Sequence, residues 1–244
     1  MILNLGPLGA SKAKSPPAFT YTGGYELKQS ARSDGTVDWE MALTSSGTLT
    51  FTRVVDSVDI FLVGPGANGQ RGYADSTTAH GGKGGDGGQV KTVYGKAVTA
   101  GTSYSIVIGS PGTATSGFSE SASSGGGKTG GAGATAIGNN RVNAGAGTDG
   151  TKSFGGTGAL YYPNYYYGAS GGGGGARSAN YTIASPGIKG DNGAGDGGSY
   201  SNSGGSATRN SGSGGGGGGY DISNYTEQPG GAGGSGIIII RNAR

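Results

Sequence analysis

The chain has 244 residues, of which 60 are Gly, 8 are Pro, one is His and none is Cys; 17 basic residues face 14 acidic ones. That length suits one large domain or two small ones, and the lack of Cys excludes a disulfide framework and cysteine metal sites. The formal charge of +3 is spread thinly, which disfavours nucleic acid as a partner, and no apolar run reaches the roughly 18 residues of a membrane-spanning helix.

Residues 1–18 read as an arm. Met1, Ile2, Leu3 and Leu5 are apolar, and Gly6-Pro7, Gly9 and Pro16-Pro17 punctuate the rest of the segment. With no charged segment before it, this start makes a poor secretory signal. A protein working outside cells would then leave by another route, such as lysis. The arm is either a loose terminus or an attachment segment that docks on a partner or another copy.

Residues 19–64 carry strand signals: FTYTGGYEL (19–27), TVDWEMAL (36–43), GTLTFTRVV (47–55) and SVDIFLVG (57–64). Each is short, rich in β-branched and aromatic residues, and bounded by Gly, Ser or Asp. Leu49, Phe51 and Arg53 share one parity and Thr48, Thr50 and Thr52 the other, as expected for one buried and one polar face. In 57–63 both parities are apolar except at Asp59, which marks a central strand. Trp39, the single Trp, reads as a core anchor.

The chain then leaves the sheet through GPGANG (64–69), passes the polar loop 70–80 and returns through GGKGGDGG (81–88). QVKTVYGKAV (89–98) and TSYSIVIG (102–109) are further strands, and 134–138 and 140–144 are weaker candidates. From about 109 to 236, short glycine runs alternate with polar or tyrosine-rich inserts. Disorder is one reading of that composition. Collagen is excluded, because glycine keeps no strict every-third register and Pro is scarce. The third reading is a lattice of extended three-residue-per-turn glycine helices. Such helices have no internal hydrogen bonds, so each buried N–H and C=O must pair with a neighbour, and faces without side chains permit that approach. The lattice is the expectation, despite the large entropy that glycine loses on ordering.

The chain closes with IIIIRNAR (237–244), whose four isoleucines require a buried strand. About nine strands and no helical period give the expected fold class: all-β plus polyglycine II, a β-sandwich of jelly-roll or TNF-like type with a packed bundle of polyglycine II helices. The division is arm 1–18 and one domain 19–244, with sandwich strands near 19–64, 89–109, 134–144 and 237–242 and the glycine bundle near 64–88 and 109–236. Runs that link strands place loops 70–80 and 220–229 at the far end of the bundle. Loop 113–124 joins them if 134–138 is a sandwich strand, and insert 159–167 fits either end.

FTYTGGYEL, the Trp39 strand, SGTLTF (46–51), VDIFLVGPGANG (58–69), GGKGGDGGQV (81–90), TAGTSYSIVIG (99–109) and GGAGGSGIIIIR (230–241) come one after another in order. In this the sequence resembles the glycine-rich domain of bacteriophage tail-fibre and tail-associated proteins, over about residues 19–242. It is also similar to the tip adhesins of T-even-like phages, and to the glycine-rich plus TNF-like module of an animal receptor tyrosine kinase family. The phage resemblance implies a virion protein, extracellular in action. It would present variable loops on a rigid scaffold to a bacterial surface glycan or protein, and attach to other virion proteins or to copies of itself through the arm. The alternative is a self-assembling structural protein, a virion decoration or filament subunit. Pro65 and Asn68 interrupt the family's usual glycine run and are expected to weaken helix packing locally.

Catalytic signals are absent. His80 stands in a polar loop without a nucleophile motif near it. GGKGGDGGQ resembles a single calcium nonapeptide, but Gly88 occupies its large apolar position and no second copy comes after it. GGKTGG (126–131) lacks the phosphate-loop spacing. No enzyme, metal, cofactor, nucleic-acid partner or membrane insertion is expected. Recognition falls instead to the tyrosines, whose rings give large amphipathic contact at low entropy cost. The candidates are Tyr73, His80, Tyr161, Tyr162, Tyr165, Tyr166, Tyr167, Tyr220 and Tyr225, with Met1, Ile2, Leu3 and Leu5 for the arm.

Overall fold

The isoleucine run occupies the middle of the larger sheet. The computed structural model describes residues 17–31, 37–76, 78–126, 130–131, 135–137, 140–141, 145–147, 150–152, 166–177, 183–190 and 193–243. Five strands align in the order Tyr25–Ala31, Val37–Leu43, Ile237–Asn242, Ser57–Val63 and Val90–Ala97, all antiparallel. A second sheet orders Phe19–Tyr21, Gly47–Phe51 and Ser103–Ile106. Side chains from both sheets meet in one core, including Trp39, Met41, Leu49, Phe51, Ile60, Ile106, Ile238 and Ile240. This is a β-sandwich, and the fold is all-β, with no helix among the described residues.

Two expected strands are shorter than their sequence patterns. The stretch 19–27 divides between the sheets, because the backbone turns sharply at Gly23, where a Cβ would stand 2.7 Å from the Ser45 carbonyl oxygen. The stretch 47–55 ends at Phe51, so Arg53 is exposed instead of sharing the buried face. The 57–63 strand has neighbours on both sides and is buried from Val58 to Val63.

Register gives the sandwich two distinct ends. Val63 pairs with Ile237 and Val90, and Leu43 with Ile238, at the end where the glycine runs leave. Ser57 pairs with Ala97, and Asn242 with Val58, at the opposite end. Ala18 accepts from the Thr52 N–H at that same opposite end. The described chain therefore begins and finishes on the sandwich face remote from the glycine runs.

Beyond the sandwich, the glycine runs bond sideways to one another, and run 212–219 lies at their centre. Gly214 and Gly217 donate to Ala169 and Gly172, Gly215 and Gly218 to Ala67 and Gln70, and Gly216 and Gly219 to Gly205 and Asn202, at 2.8–3.1 Å. Its carbonyls accept from Gly82, Gly85 and Gly88, from Gly195 and Gly198, and from Gln228, Gly231 and Gly234. Each neighbour recurs at every third residue, so one run touches six others. A β-ladder would repeat every second residue. Within run 212–219, only Gly212, at its start, has positive φ.

Glycine spacing tracks position in this array. A Cβ at Gly214, Gly215, Gly216, Gly217, Gly218 or Gly219 would lie 1.7–2.1 Å from a neighbour's backbone oxygen, so the central run excludes side chains all round. In run 81–88 two of every three residues face neighbours, and the third positions, Lys83 and Asp86, point outward. In run 64–72 Gly66, Gly69 and Gly72 meet the central run, at Ser213, Gly216 and Gly219. Pro65 and Asn68 fall between these contacts and do not weaken them. The Pro65 carbonyl accepts from Gly125, and the Asn68 Oδ1 accepts from the Gly233 N–H at 2.9 Å.

Two sequence expectations change here. Strand Thr135–Ile137 pairs with Ala79–His80 on one side and Asn140–Arg141 on the other, in a small sheet apart from the sandwich. The run before them therefore leads outward, and loop 113–124 lies at the sandwich end. It forms the hairpin Thr115–Gly117/Glu120–Ala122, whose Phe118 and Ala122 enter the sandwich core. The apolar Phe118 ring is what draws this loop inward.

Substitution at the two kinds of lattice position separates their roles. Gly216→Ala would place a Cβ 1.8 Å from the Asp196 oxygen, so denaturant melts are expected to show a loss of at least about 3 kcal/mol. Lys83→Ala, on an outward position, should stay within about 0.5 kcal/mol of the parent.

The hairpin also supplies a pH-dependent term. Glu120 pairs with Lys91 and Lys96, each at 2.8 Å. The Lys91 and then the Lys96 ammonium hold its carboxyl down from 4.5 to about 2. The folded value lies below the unfolded one, so the contribution is complete above about pH 4.5 and lost as pH falls toward 2. Thermal melts of Glu120→Gln should differ from the parent at neutral pH and converge with it at the acid end.

Candidate functional site

Runs that leave the sandwich end in short hairpins at the far side of the array. Tyr73–Ala74 and Ala79–His80 form one, joined by 135–137 and 140–141 into a four-stranded sheet. Ala176–Arg177, Ile183–Ala184, Tyr220–Asp221 and Thr226–Glu227 form a second, in which 176–177 and 220–221 run parallel. The sheets share a small apolar centre of Ala79, Ala176, Ala184, Tyr220 and Ile222. Alanines keep this centre thin, which lets two narrow sheets pack without a large core. Together they cap the distal end of the array.

Around that centre lie charged and aromatic groups. Tyr73 stacks on His80 with ring centroids 4.7 Å apart and planes 21° apart. The His80 Nε2 is 3.2 Å from Asp75 Oδ2, and Asp75 Oδ1 accepts from the Thr78 N–H. Arg71 pairs with Glu227 at 3.2 Å, linking the roots of two hairpins. Asp221, almost fully buried, lies 3.5 Å from Arg177 and accepts from the Ser223 N–H, the Ser223 hydroxyl and the Asn224 amide. The Arg177 guanidinium also lies over the Tyr200 ring, 5.2 Å from its centroid. Among the described residues no group of three His, Asp or Glu could hold a metal ion. The surface offers stacking faces, ion pairs and hydrogen-bonding groups, which suit recognition.

The structure divides the sequence candidates. Tyr73 and His80 stand together at the tip, and Tyr225 lies in the turn of the other distal hairpin; Tyr73 is 53 % and Tyr225 81 % exposed. Tyr220 is buried at 5 % and packs in the apolar centre, so its expected surface role is corrected. Packing against Ala79, Ala176 and Ala184 holds the ring inward, and burial raises its phenol pKa. Tyr167 is likewise corrected: 1 % exposed, it packs edge-on against Phe61. It belongs to a cluster on the outer face of the five-stranded sheet, with Ala42, Val63, Ile237 and Ile239. Tyr166 beside it is half-buried, and the pair bonds to Thr151–Lys152. The insert thus ends against the sandwich and away from the tip. Tyr161, Tyr162, Tyr165 and the arm residues Met1, Ile2, Leu3 and Leu5 lie outside the described residues.

The Arg71–Glu227 pair and the Arg177–Asp221–Tyr200 group were missed by sequence reasoning. They join residues far apart in the chain, and no local pattern signals them. Burial and exposure also separate two tyrosines that composition treats alike. Tyr220→Ala should lower stability by roughly 3 kcal/mol in denaturant melts, by emptying the apolar centre. Tyr225→Ala should leave stability within about 0.5 kcal/mol.

A comparison with curated proteins gave no match. A family model described as a glycine-rich domain matches residues 43–243. That span holds the whole array and its tip, and begins at the end of the 37–43 strand. With more than half its length matched, the chain belongs to this glycine-rich domain family.

Proposed function

We propose that this chain is a bacteriophage virion protein, a tail-fibre or tail-tip adhesin that presents its distal hairpins to a bacterial surface receptor. The observation that carries the reading is the two-ended layout. The described residues begin and finish on the sandwich face remote from the array, while Tyr73, His80 and Tyr225 lie in the distal hairpins. Attachment at one end and recognition at the other would be kept apart by a stiff spacer. The spacer runs are read as left-handed polyglycine II helices, a reading supported by their three-residue bonding period and six-neighbour packing. Run 212–219 would then span roughly 25 Å at about 3.1 Å per residue. Loops on rigid scaffolds are where binding residues concentrate. The phage resemblance of the ordered motifs supports the same reading, as does family membership, although a family defined by its scaffold does not by itself assign a receptor.

The partners on this reading are a bacterial surface glycan or protein at the tip and other virion components at the arm, with the protein working outside the cell. The arm, residues 1–18, attaches it, and residues 1–16 can be removed without breaking the bond from the Thr52 N–H to the Ala18 carbonyl. Removing them should leave the melting temperature unchanged and abolish incorporation into particles or self-association, measured by co-sedimentation. Purified full-length protein should bind cells of a susceptible strain in a panel of bacteria, and replacing 73–80 and 222–225 by short glycine linkers should abolish binding. Assembly defects from the hairpin replacement, with no cell binding by the parent, would favour a decoration or filament subunit instead.

A further inference from the structure

Four non-glycine residues among those described hold positive φ: Phe118, Ser119, Asn210 and Tyr225. Such backbone disfavours side chains other than Asn or Asp and is costly for a bulky one. Three of the four have visible compensation. Phe118 and Ser119 are the two central residues of a tight hairpin between Gly117 and Glu120, where both positions need positive φ. Phe118 also buries its ring in the sandwich core beside Tyr104. Asn210 donates its amide to the carbonyls of Thr44 and Gly236. Tyr225, at φ 51°, closes the 222–225 turn with its ring 81 % exposed. In a chain so rich in glycine, the residue that suits this backbone is replaced by one that strains it and leaves a large ring in water. Strain retained at an exposed position points to binding.

The surroundings indicate what is bound. Runs 64–72 and 228–236 are antiparallel neighbours, with Gly66 bonded to Gly234, Gly69 to Gly231 and Gly72 to Gln228. Continued outward past the Arg71–Glu227 pair, this alignment brings the Tyr73–His80 hairpin alongside the turn that carries Tyr225. Tyr73 has one ring face covered by His80, so its other face is the one available to a ligand. The Asp75 carboxylate reaches His80, the ring stacked on Tyr73, and the Arg71–Glu227 pair joins the roots of the two hairpins, with side chains 47–67 % exposed. A protein-binding patch has a core depleted in charge, whereas here charged side chains belong to both hairpins that carry the rings. Flat rings set among carboxylate and guanidinium groups match a sugar, whose C–H face stacks on an aromatic ring while its hydroxyls bond to charged groups.

We propose that Tyr225 and Tyr73 form a saccharide-binding site at the tip, taking pyranose rings of a bacterial surface polysaccharide. The proposal rests on the adhesin reading above. Tyr225 is the specificity-determining contact, and its ring is retained at the expense of local backbone strain.

The test uses the full chain, its Tyr225→Gly, Tyr225→Asn and Tyr73→Ala variants, and a bacterial panel. Cells are tested untreated, after periodate oxidation of surface sugars and after protease treatment. Binding is expected to vanish after periodate and persist after protease. All three variants should bind at least about tenfold more weakly. Tyr225→Gly and Tyr225→Asn, which relieve the backbone, should melt at or above the parent temperature. Binding that survives periodate but not protease would overturn the saccharide and leave the adhesin reading standing. Cell binding by the parent that both Tyr225 variants retain, or a lower melting temperature in both, would overturn the role of Tyr225. No binding to any strain would overturn the adhesin reading, and this proposal with it.

Discussion

Everything distal to the sandwich depends on sideways backbone hydrogen bonding between glycine runs. The neighbours of a run recur at every third residue, and each buried N–H must be met by a partner. Run 212–219 shows the requirement fully met, with three neighbours accepting from it and three donating to it. The absence of Cβ atoms is what permits this. At Gly216 or Gly219 a single added carbon would stand within 1.8 Å of a neighbour's carbonyl oxygen. Packing in this region is therefore done by backbone, and the usual apolar core is replaced by a network of amides. Ordering so much glycine is entropically costly, which makes the anchoring sandwich essential. Val63 and Ile237 sit where runs leave and rejoin it, inside buried strands that fix the first and last glycines.

This arrangement separates the sequence constraints on scaffold and surface. Positions 214–219 have no room for a side chain, outward positions such as Lys83 carry one, and hairpins at the tip pack on a small apolar centre. Tip residues can then vary without disturbing the array. The same logic explains why Tyr220 and Tyr225, five residues apart, differ so much. One ring fills the apolar centre and the other faces solvent across a strained turn.

Much of the sandwich was legible because its signals are local. Alternation at Leu49 and Phe51, the two-sided apolar run at 58–63 and the isoleucine run each specify a strand and its burial. Sideways bonding between glycine runs was legible from their composition, although the sequence reading took Pro65 and Asn68 for interruptions. They occupy the positions of their run that face away from the centre, which only the neighbours reveal. Polarity of the loops was harder. A strand at 135–137 was visible, but the sheet it joins depends on His80 and Ala79, more than fifty residues earlier. Misplacing it moved loop 113–124 to the wrong end. Among the tyrosines, composition identified an aromatic surface but could not distinguish rings turned inward at Tyr167 and Tyr220 from those turned outward at Tyr73 and Tyr225.

Amide hydrogen exchange across residues 214–219 tests the lattice most directly. Every N–H in this stretch donates to one of three neighbouring runs, so exchange should be as slow as in the central strand at Ile238–Ile240, although the stretch has no side chains and belongs to no β-ladder. Exchange at the rate of an open loop, with the strand still protected, would contradict the account.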